Sequence, residues 1–473
     1  MYENYDSTVI LNLYIIYLKM YIRKKAKKVM DKASIRKMIT LIWPIFIELL
    51  LQMLVSNADQ IMVANYRQTA VGAISNANQI LNIVMLVFSM ISMATSILIA
   101  QYKGAGQPDK VSQITTLSCV VNTILSLLLG IVMIIFCEQF FVWLQVPAEF
   151  MEDARAYTVI TGGCCFLQAL FMTFTAVFRS HQMMKINMFS SILMNLVNVA
   201  GNALLINGFG PIAGMGVRGA AWATVSSRLI GLLVLIWCYR RHLHGHFRLS
   251  HIRPFPTDLF KKLVRIGIPA GGESFSYNIV QLVTLAMINS FGAEATIARS
   301  HCGVVSSIAL LYCLSVAQAA QVVVGYQVGA SDYEGAHSTV RFSVLSSIGI
   351  TSLFSILIYL LYRPIFSLLG AEGQVLSLCC SLMFIEIFRQ FGRSFNMLYI
   401  RALQGAGDIR FPISIGIISM WVIIVGVGYL LGCFFGLGII GIWIAYTLDE
   451  NLRGIIFFVR WKSEKWKAKR LVD

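Results

Sequence analysis

Two glutamates in this chain follow a proline by four residues, and both stand in apolar surroundings. The segment PIFIE covers Pro44–Glu48 and PAGGE covers Pro269–Glu273, an offset of 225. A charged group at the centre of a membrane helix costs at least about 2.5–3.5 kcal/mol, so an acid placed there twice needs a reason. Glu48, Gln52, Ser56 and Asp59 recur at i, i+4, i+8 and i+11, a spacing that lines one helix face. Glu273, Tyr277, Gln281 and Thr284 repeat that stripe at the same offset. Such stripes serve either a polar cavity or helix–helix hydrogen bonding. Asp59 has no acidic counterpart, because Thr284 stands at the matching position. That asymmetry singles it out as a candidate cation or proton site.

Three amides, Asn195, Asn198 and Asn202, share one face of another apolar run. Amide oxygens are neutral hard donors suited to small cations. Ser75, Asn78, Gln79 and Asn82 form a similar stripe, read as cavity lining. Later in the chain Glu386, Arg389 and Arg393 stack at i, i+3 and i+7, and Asp449 pairs in spacing with Arg453 beside Glu450. These charges neutralise one another, as in a structural network. A second proton or substrate site is the other reading.

The elements that position these side chains follow from composition. The chain has 473 residues, 57% hydrophobic and 13% charged, against roughly 25% charged in soluble domains. A membrane crossing needs about 20 apolar residues. Twelve such runs occur, at roughly 38–64, 71–101, 112–136, 154–178, 187–207, 216–239, 262–290, 295–326, 338–361, 375–399, 411–434 and 437–459. The expected fold class is an all-α polytopic membrane protein of twelve transmembrane helices in two pseudo-symmetric six-helix lobes.

The net charge of +16 is placed unevenly. Bases cluster at the N-terminus (Arg23, Lys24, Lys25, Lys27, Lys28), in the central loop (Arg240, Arg241, Arg248, Arg253, Lys261, Lys262) and at the C-terminus (Lys462, Lys465, Lys467, Lys469, Arg470). Counting spans puts all three on one side, with the loops holding Lys103, Lys110, Arg179, Lys185, Arg401 and Arg410. By the positive-inside rule that side is cytoplasmic, both termini are cytoplasmic, and the protein is multi-pass in the plasma membrane. The partners are then the lipid bilayer and a small molecule, not nucleic acid, and the chain reads as a monomer.

The segment RRHLHGHFRLSH carries His242, His244, His246 and His251, read as a solvated loop rather than a metal site. Cysteines within spans, including the Cys164–Cys165 and Cys379–Cys380 neighbours, read as small apolar filler. Val9–Leu18 is apolar but too short to cross a membrane, and it reads as an interfacial helix or as sequence before the true start. No H-E-x-x-H, G-x-S-x-G or metal-spaced cysteine set lies within the spans, which argues against an enzyme.

The 225 offset extends beyond the glutamates. It matches Lys37 with Lys262, Val55 with Val280, Met62 with Met287, Ala70 with Ala295, Ala73 with Ala298, Gly104 with Gly329 and Ala105 with Ala330. Farther on, GVRGAAWAT at 216–224 matches GIIGIWIAY at 438–446 with offset 222. A six-span repeat returns the chain to its starting side, so the halves have parallel topology, an arrangement that builds transporters with a site between the halves. The expected organisation is a basic segment at 1–35, a first lobe at 36–239, a linker at 240–261, a second lobe at 262–460 and a basic tail at 461–473.

This ordered set resembles the multidrug and toxic compound extrusion (MATE) family. The likeness is carried by NADQIMV in span one, NGFGPIAGMGVRGAAWAT before span six, YKGAGQPDK and YQVGASDYE after spans two and eight, and IRALQGAGDIRFP between spans ten and eleven. It covers about residues 36–460. It implies antiport that exports organic cations and other amphiphiles against H+ or Na+, with no other cofactor and no metal beyond Na+ at a first-lobe site. Carried over, that site falls on Asp59, Asn198, Ala220 and Thr224. Asn202 stands where some members have a second acid, which weakens Na+ binding or favours H+. Glu48, Gln52, Glu273, Tyr277 and Gln281 are the candidates for substrate binding or proton coupling. Another branch uses acids in spans seven and ten. Glu273 lies about one turn early for that site, and Gln390 or Arg393 falls near the span-ten place.

A carboxylate held out of water takes up a proton more readily than a solvated one, so Asp59 is the expected coupling residue. Glu48, Asp59 and Glu273 outnumber bases in the matching spans, which favours cationic cargo. A flippase for a lipid-linked precursor would need a strongly cationic cavity. A membrane-embedded enzyme is the rival from another class.

Overall fold

The computed structural model describes residues 32–209, 212–243 and 253–472. Arg23–Lys28, Val9–Leu18, His244, His246, Arg248 and His251 lie outside the described residues. The first half contains α1 (Lys32–Tyr66), α2 (Gln68–Gly104), α3 (Pro108–Ile135), a short α4 (Cys137–Trp143), α5 (Ala148–Gly163), α6 (Cys165–Ser180) and α7 (Met184–Leu205). A small antiparallel pair, β1 (Gly208–Phe209) and β2 (Ile212–Ala213), precedes α8 (Gly216–His242). The second half contains α9 (Thr257–Asn289), α10 (Ala293–Gly329), α11 (Tyr333–Leu360), a short α12 (Tyr362–Leu368), α13 (Gly373–Ala406), α14 (Arg410–Ser419) and α15 (Gly438–Lys462). Wide π-helical turns at Met420–Val427 and Leu430–Phe434 extend α14 into a full span.

Among the described residues nine helices are long and apolar enough to cross a membrane, and α5 with α6, bent by 48°, makes a tenth. The remaining two crossings are α9 and α15, which are 33 and 25 residues long. Each carries charged groups that dilute its apolar character: Glu273 on α9, and Asp449, Glu450 and Arg453 on α15. The result is twelve spans in two six-helix lobes. The apolar runs had located every span. They missed the bend in span four and the earlier start of α1, at Lys32.

Four apolar cores show how the lobes meet. Two are confined to one lobe each: Val63, Phe88, Phe141 and Ala220 belong to one, and Val280, Cys302, Phe366 and Trp443 to the other. The other two cross between the lobes at the end where the basic loops lie. Met38, Leu41, Ile42 and Ile45 of α1 pack with Val316, Val324 and Leu398 of the second lobe. In return Leu259, Leu263 and Ile266 of α9 pack with Leu98, Ile114 and Phe178 of the first. The lobes are therefore joined at the basic end, while each keeps its own core at the other.

The tightest crossing needs glycine. A methyl group on Gly104 would overlap the Tyr326 carbonyl, and one on Gly329 would overlap the Gln101 carbonyl. Gln101 and Tyr326 are themselves 225 apart, so α2 and α10 cross on the repeat's own two-fold relation. Gln101, fully buried, donates from Nε2 to Gly405 O at 2.7 Å and accepts at Oε1 from Leu471 N at 2.9 Å.

The chain's end fastens the same seam. Lys262 Nζ donates to Leu471 O at 2.6 Å, and Arg470 Nη2 donates to Gly329 O at 2.7 Å. Trp466 is fully buried and stacks on Trp461 with centroids 4.3 Å apart. Trp466→Ala is expected to destabilise the protein by about 3–5 kcal/mol, read as a lower Tm of the detergent-purified protein.

Candidate functional site

Asp59 is carried by α1 to a place where α7 and α8 face it. Asn202 Nδ2 donates to Asp59 Oδ1 at 2.8 Å. The amide orientation that satisfies the network puts Asn198 Nδ2 at 2.9 and 3.0 Å from the two carboxylate oxygens. In the opposite orientation the same amide nitrogen faces Thr224 Oγ1 at 3.4 Å. Thr224 Oγ1 in turn donates to Ala220 O at 3.0 Å. The five residues Asp59, Asn198, Asn202, Ala220 and Thr224 thus converge. Asn195 is buried on the same helix face. Its Nδ2 and Asn202 Oδ1 are buried atoms without hydrogen-bond partners.

Among the described residues no lysine or arginine pairs with Asp59. Its carboxylate is held by amides alone, which leaves the charge open to a proton or a small cation. The oxygens gathered here are hard donors of the kind that Na+ accepts.

Sequence reasoning missed Arg228, one turn beyond Thr224 on α8. Its guanidinium lies in electrostatic range of Tyr157, Cys164 and Cys165, and its Nη1 is buried without a partner. The signal was available: an arginine inside an apolar run meets the same cost that flagged the acids.

The paired glutamates find their reason at the lobe junction. Glu48, 3% exposed, lies 3.8 Å from Arg179 Nη2. Glu273 lies in electrostatic range of Arg401 and Arg453, and Arg401 in range of Arg179. Arg401 Nη1 also reaches Met93 Sδ of the other lobe at 3.5 Å. Arg179 and Arg401 are 222 apart, in RSHQ and RALQ, the offset that also relates the later matched segments. Each half therefore supplies one glutamate and one arginine to a pseudo-symmetric quartet. The sequence reading had placed both arginines in loops as topology signals. The repeated R-x-x-Q could have marked them as structural.

Glu48 Oε2 is buried without a hydrogen-bond partner, so Arg179 is its main counter-charge. Removing one partner of a buried ion pair is strongly destabilising, by about 3–5 kcal/mol when fully buried. Arg179→Met is expected to approach the lower figure, since its side chain is 23% exposed. Adding Glu48→Gln should recover part of the loss, measured as Tm of the native protein and the two variants.

The polar stripes part company in space. Gln52 and Ser56 are exposed. In the second lobe Tyr446 OH donates to Gln281 Oε1 at 3.2 Å and lies 2.9 Å from Thr284 Oγ1, so that stripe bonds α9 to α15. Glu386 accepts from Gln390 Nε2 at 2.9 Å, Arg389 Nη1 at 3.2 Å and Arg393 Nη1 at 3.5 Å. Glu450 accepts from Asn396 Nδ2 at 2.7 Å and Arg393 Nε at 3.4 Å. Arg453 bonds Asp449, and Ser419 Oγ donates to Asp449 Oδ1 at 2.6 Å. All the second-lobe charges named from spacing lie in this region.

One side of the network faces a cavity of about 440 Å³ between α9, α10, α13 and α15. Tyr277, Gln281, Glu386, Arg389 and Arg393 line it, together with Arg299 of α10. Arg389 lies over the Tyr446 ring, its Cζ 4.4 Å from the centroid. The excess of acids counted along the lead spans is thereby reversed around this cavity: Arg299, Arg389 and Arg393 face it with a single glutamate.

The chain matches the MatE family over residues 44–204 and 269–430, one segment in each lobe. The uncharacterized transporter YisQ of Bacillus subtilis is 32% identical over 443 residues, which cover 94% of this chain and 97% of that protein. A probable multidrug resistance protein, NorM of Thermotoga maritima, is 24% identical over 441 residues, covering 92% and 94%. A solved outward-facing conformation of a multidrug resistance MATE family transporter of the MOP superfamily aligns with a TM-score of 0.82 at 19% identity, over 93% of this chain and 98% of that one. That last likeness is one of fold.

Proposed function

The chain belongs to the MatE family of membrane transporters, and from that premise we propose that it exports amphiphilic organic compounds, organic cations among them, in exchange for H+ or Na+. It is a transporter and not an enzyme, and it is multi-pass in the plasma membrane. The proposal places the basic end and both termini in the cytoplasm. The joined basic end then makes this arrangement outward-open, and the protein works as a monomer without a cofactor.

The observation that carries the reading is Asp59, a carboxylate held by Asn198 and Asn202 with no cationic partner among the described residues. An antiporter must bind its driving ion differently in its two facings, or no coupling exists. Asp59 is placed for that. It belongs to α1, whose other end packs into the opposite lobe through Met38, Leu41 and Ile45. A proton on Asp59 weakens its hold on α7, a bound Na+ bridges it to the α7 amide oxygens, and α1 transmits either change to the lobe junction. Substrate leaves from between the lobes while the basic end is closed.

The test uses purified protein in liposomes with Na+ and pH gradients imposed separately and a panel of cationic dyes. Dye movement should follow one gradient and stop when it is collapsed. Movement indifferent to both would overturn the antiport reading.

A further inference from the structure

We propose that the second-lobe cavity binds the carboxylate of an amphiphilic organic acid or zwitterion between Arg299 and Arg389. The inference rests on the exporter reading and adds an acidic or zwitterionic class to its substrates.

The lobes differ at matched positions. At offset 222, Met420 and Ile424 stand where the first lobe has Asn198 and Asn202, so the amide ring is lost. At offset 225, Arg299 stands where the first lobe has Ile74. One lobe has an open carboxylate, and the other has arginines around a cavity.

Glu386 and Glu450 pair with Arg389 and Arg393 and leave Arg299 over. Glu386 is engaged by Gln390, Arg389 and Arg393 at once. Glu450 stands behind Arg393 and neutralises it. Arg299 makes no hydrogen bond or ion pair among the described residues, so one positive charge is left over at the cavity wall. Arg389 Nε is buried without a partner. A guanidinium presents a planar fork that matches a carboxylate. The Tyr446 ring, 4.4 Å from its Cζ, helps to pre-orient Arg389. The cavity, about 440 Å³, falls in the range of small-molecule pockets. Tyr277, which is 48% exposed, and Trp443 supply its apolar surface. A bicyclic aromatic acid fits that description, with its ring against the aromatics and its charge on the arginines.

The probes are three dansyl compounds that share one fluorophore: anionic dansylglycine, neutral dansyl amide and cationic dansylcadaverine. Binding to the full-length protein in detergent is read by dansyl fluorescence without any gradient. Dansylglycine is expected to bind about ten- to a hundredfold more tightly than dansyl amide. Arg299→Gln should remove most of that preference while leaving dansyl amide affinity unchanged, and Arg299→Lys should restore part of it. Arg299 has no ion-pair partner among the described residues, so the substitution leaves no acid there uncompensated. Equal binding of dansylglycine and dansyl amide to the native protein, or a preference that survives Arg299→Gln, overturns the proposal. Neither result bears on ion coupling, which the gradient experiment tests separately.

Discussion

Asp59→Asn is expected to lower gradient-driven dye export by about 5- to 150-fold, the usual range of a coupling free energy between two sites, in a protein that still folds. The replacement is nearly isosteric and keeps an oxygen facing Asn202 Nδ2, which now lies 2.8 Å from Asp59 Oδ1. The packing of α1 on α7 is therefore preserved. What disappears is the charge. The substituted side chain can neither take up a proton nor compensate a cation, so the two facings no longer differ in their affinity for the driving ion. Substrate binding without a gradient should persist, because the second-lobe cavity lies on α9, α10, α13 and α15. The measurements are dye efflux from liposomes under each gradient, with gel-filtration profile and Tm as folding controls. Retained pH- or Na+-dependent efflux at the native rate would remove Asp59 from the coupling role.

The membrane fold was legible because apolar length and basic loops are local signals. Each span can be read from its own 20 or so residues, and the 225 offset joins distant segments through a rare pair of types, proline and glutamate. The first-lobe site was legible for a related reason. Asp59, Asn198 and Asn202 are costly at membrane depth wherever they point, and the resemblance named the neighbours. The pairing of charges was not legible. Glu48 meets Arg179 across 131 positions, and nothing in the composition of either span says which arginine approaches which acid. Arg299 shows the same limit. It reads as one more base near a helix start, and only the packing of α10 against α13 turns it inward to a cavity. Counting charge along spans gave an excess of acids, while three arginines and one glutamate line the second-lobe cavity, because charge is felt in space and not along the chain.

Gly104→Ala is expected to favour opening of the basic end by about 5- to 150-fold. The argument is steric. The added methyl group meets the Tyr326 carbonyl, and the next obstacle is Ala330 N. Both are backbone atoms, one in α10 and one in the residue that caps it, and cannot turn aside as a flexible side chain could. Overpacking of this kind costs about 1–3 kcal/mol, and each 1.4 kcal/mol is tenfold in an equilibrium. That cost falls on the joined state alone, since lobes that separate at this seam relieve it. Gly329→Ala should do the same, because its methyl meets the Gln101 carbonyl in the matched crossing. Two substitutions 225 positions apart would then share one phenotype, which a general loss of packing does not predict. Gly349→Ala on α11 is the control, with nothing within 4 Å of the added carbon. Hydrogen exchange reports the outcome through peptides covering residues 98–107 and 323–332. Exchange there should rise in both seam variants and stay at the native level in the control. Native exchange in both seam variants would mean that the crossing of α2 and α10 is not what holds the basic end shut. The cores in which α1 and α9 pack into the opposite lobe would then be left to hold that end closed.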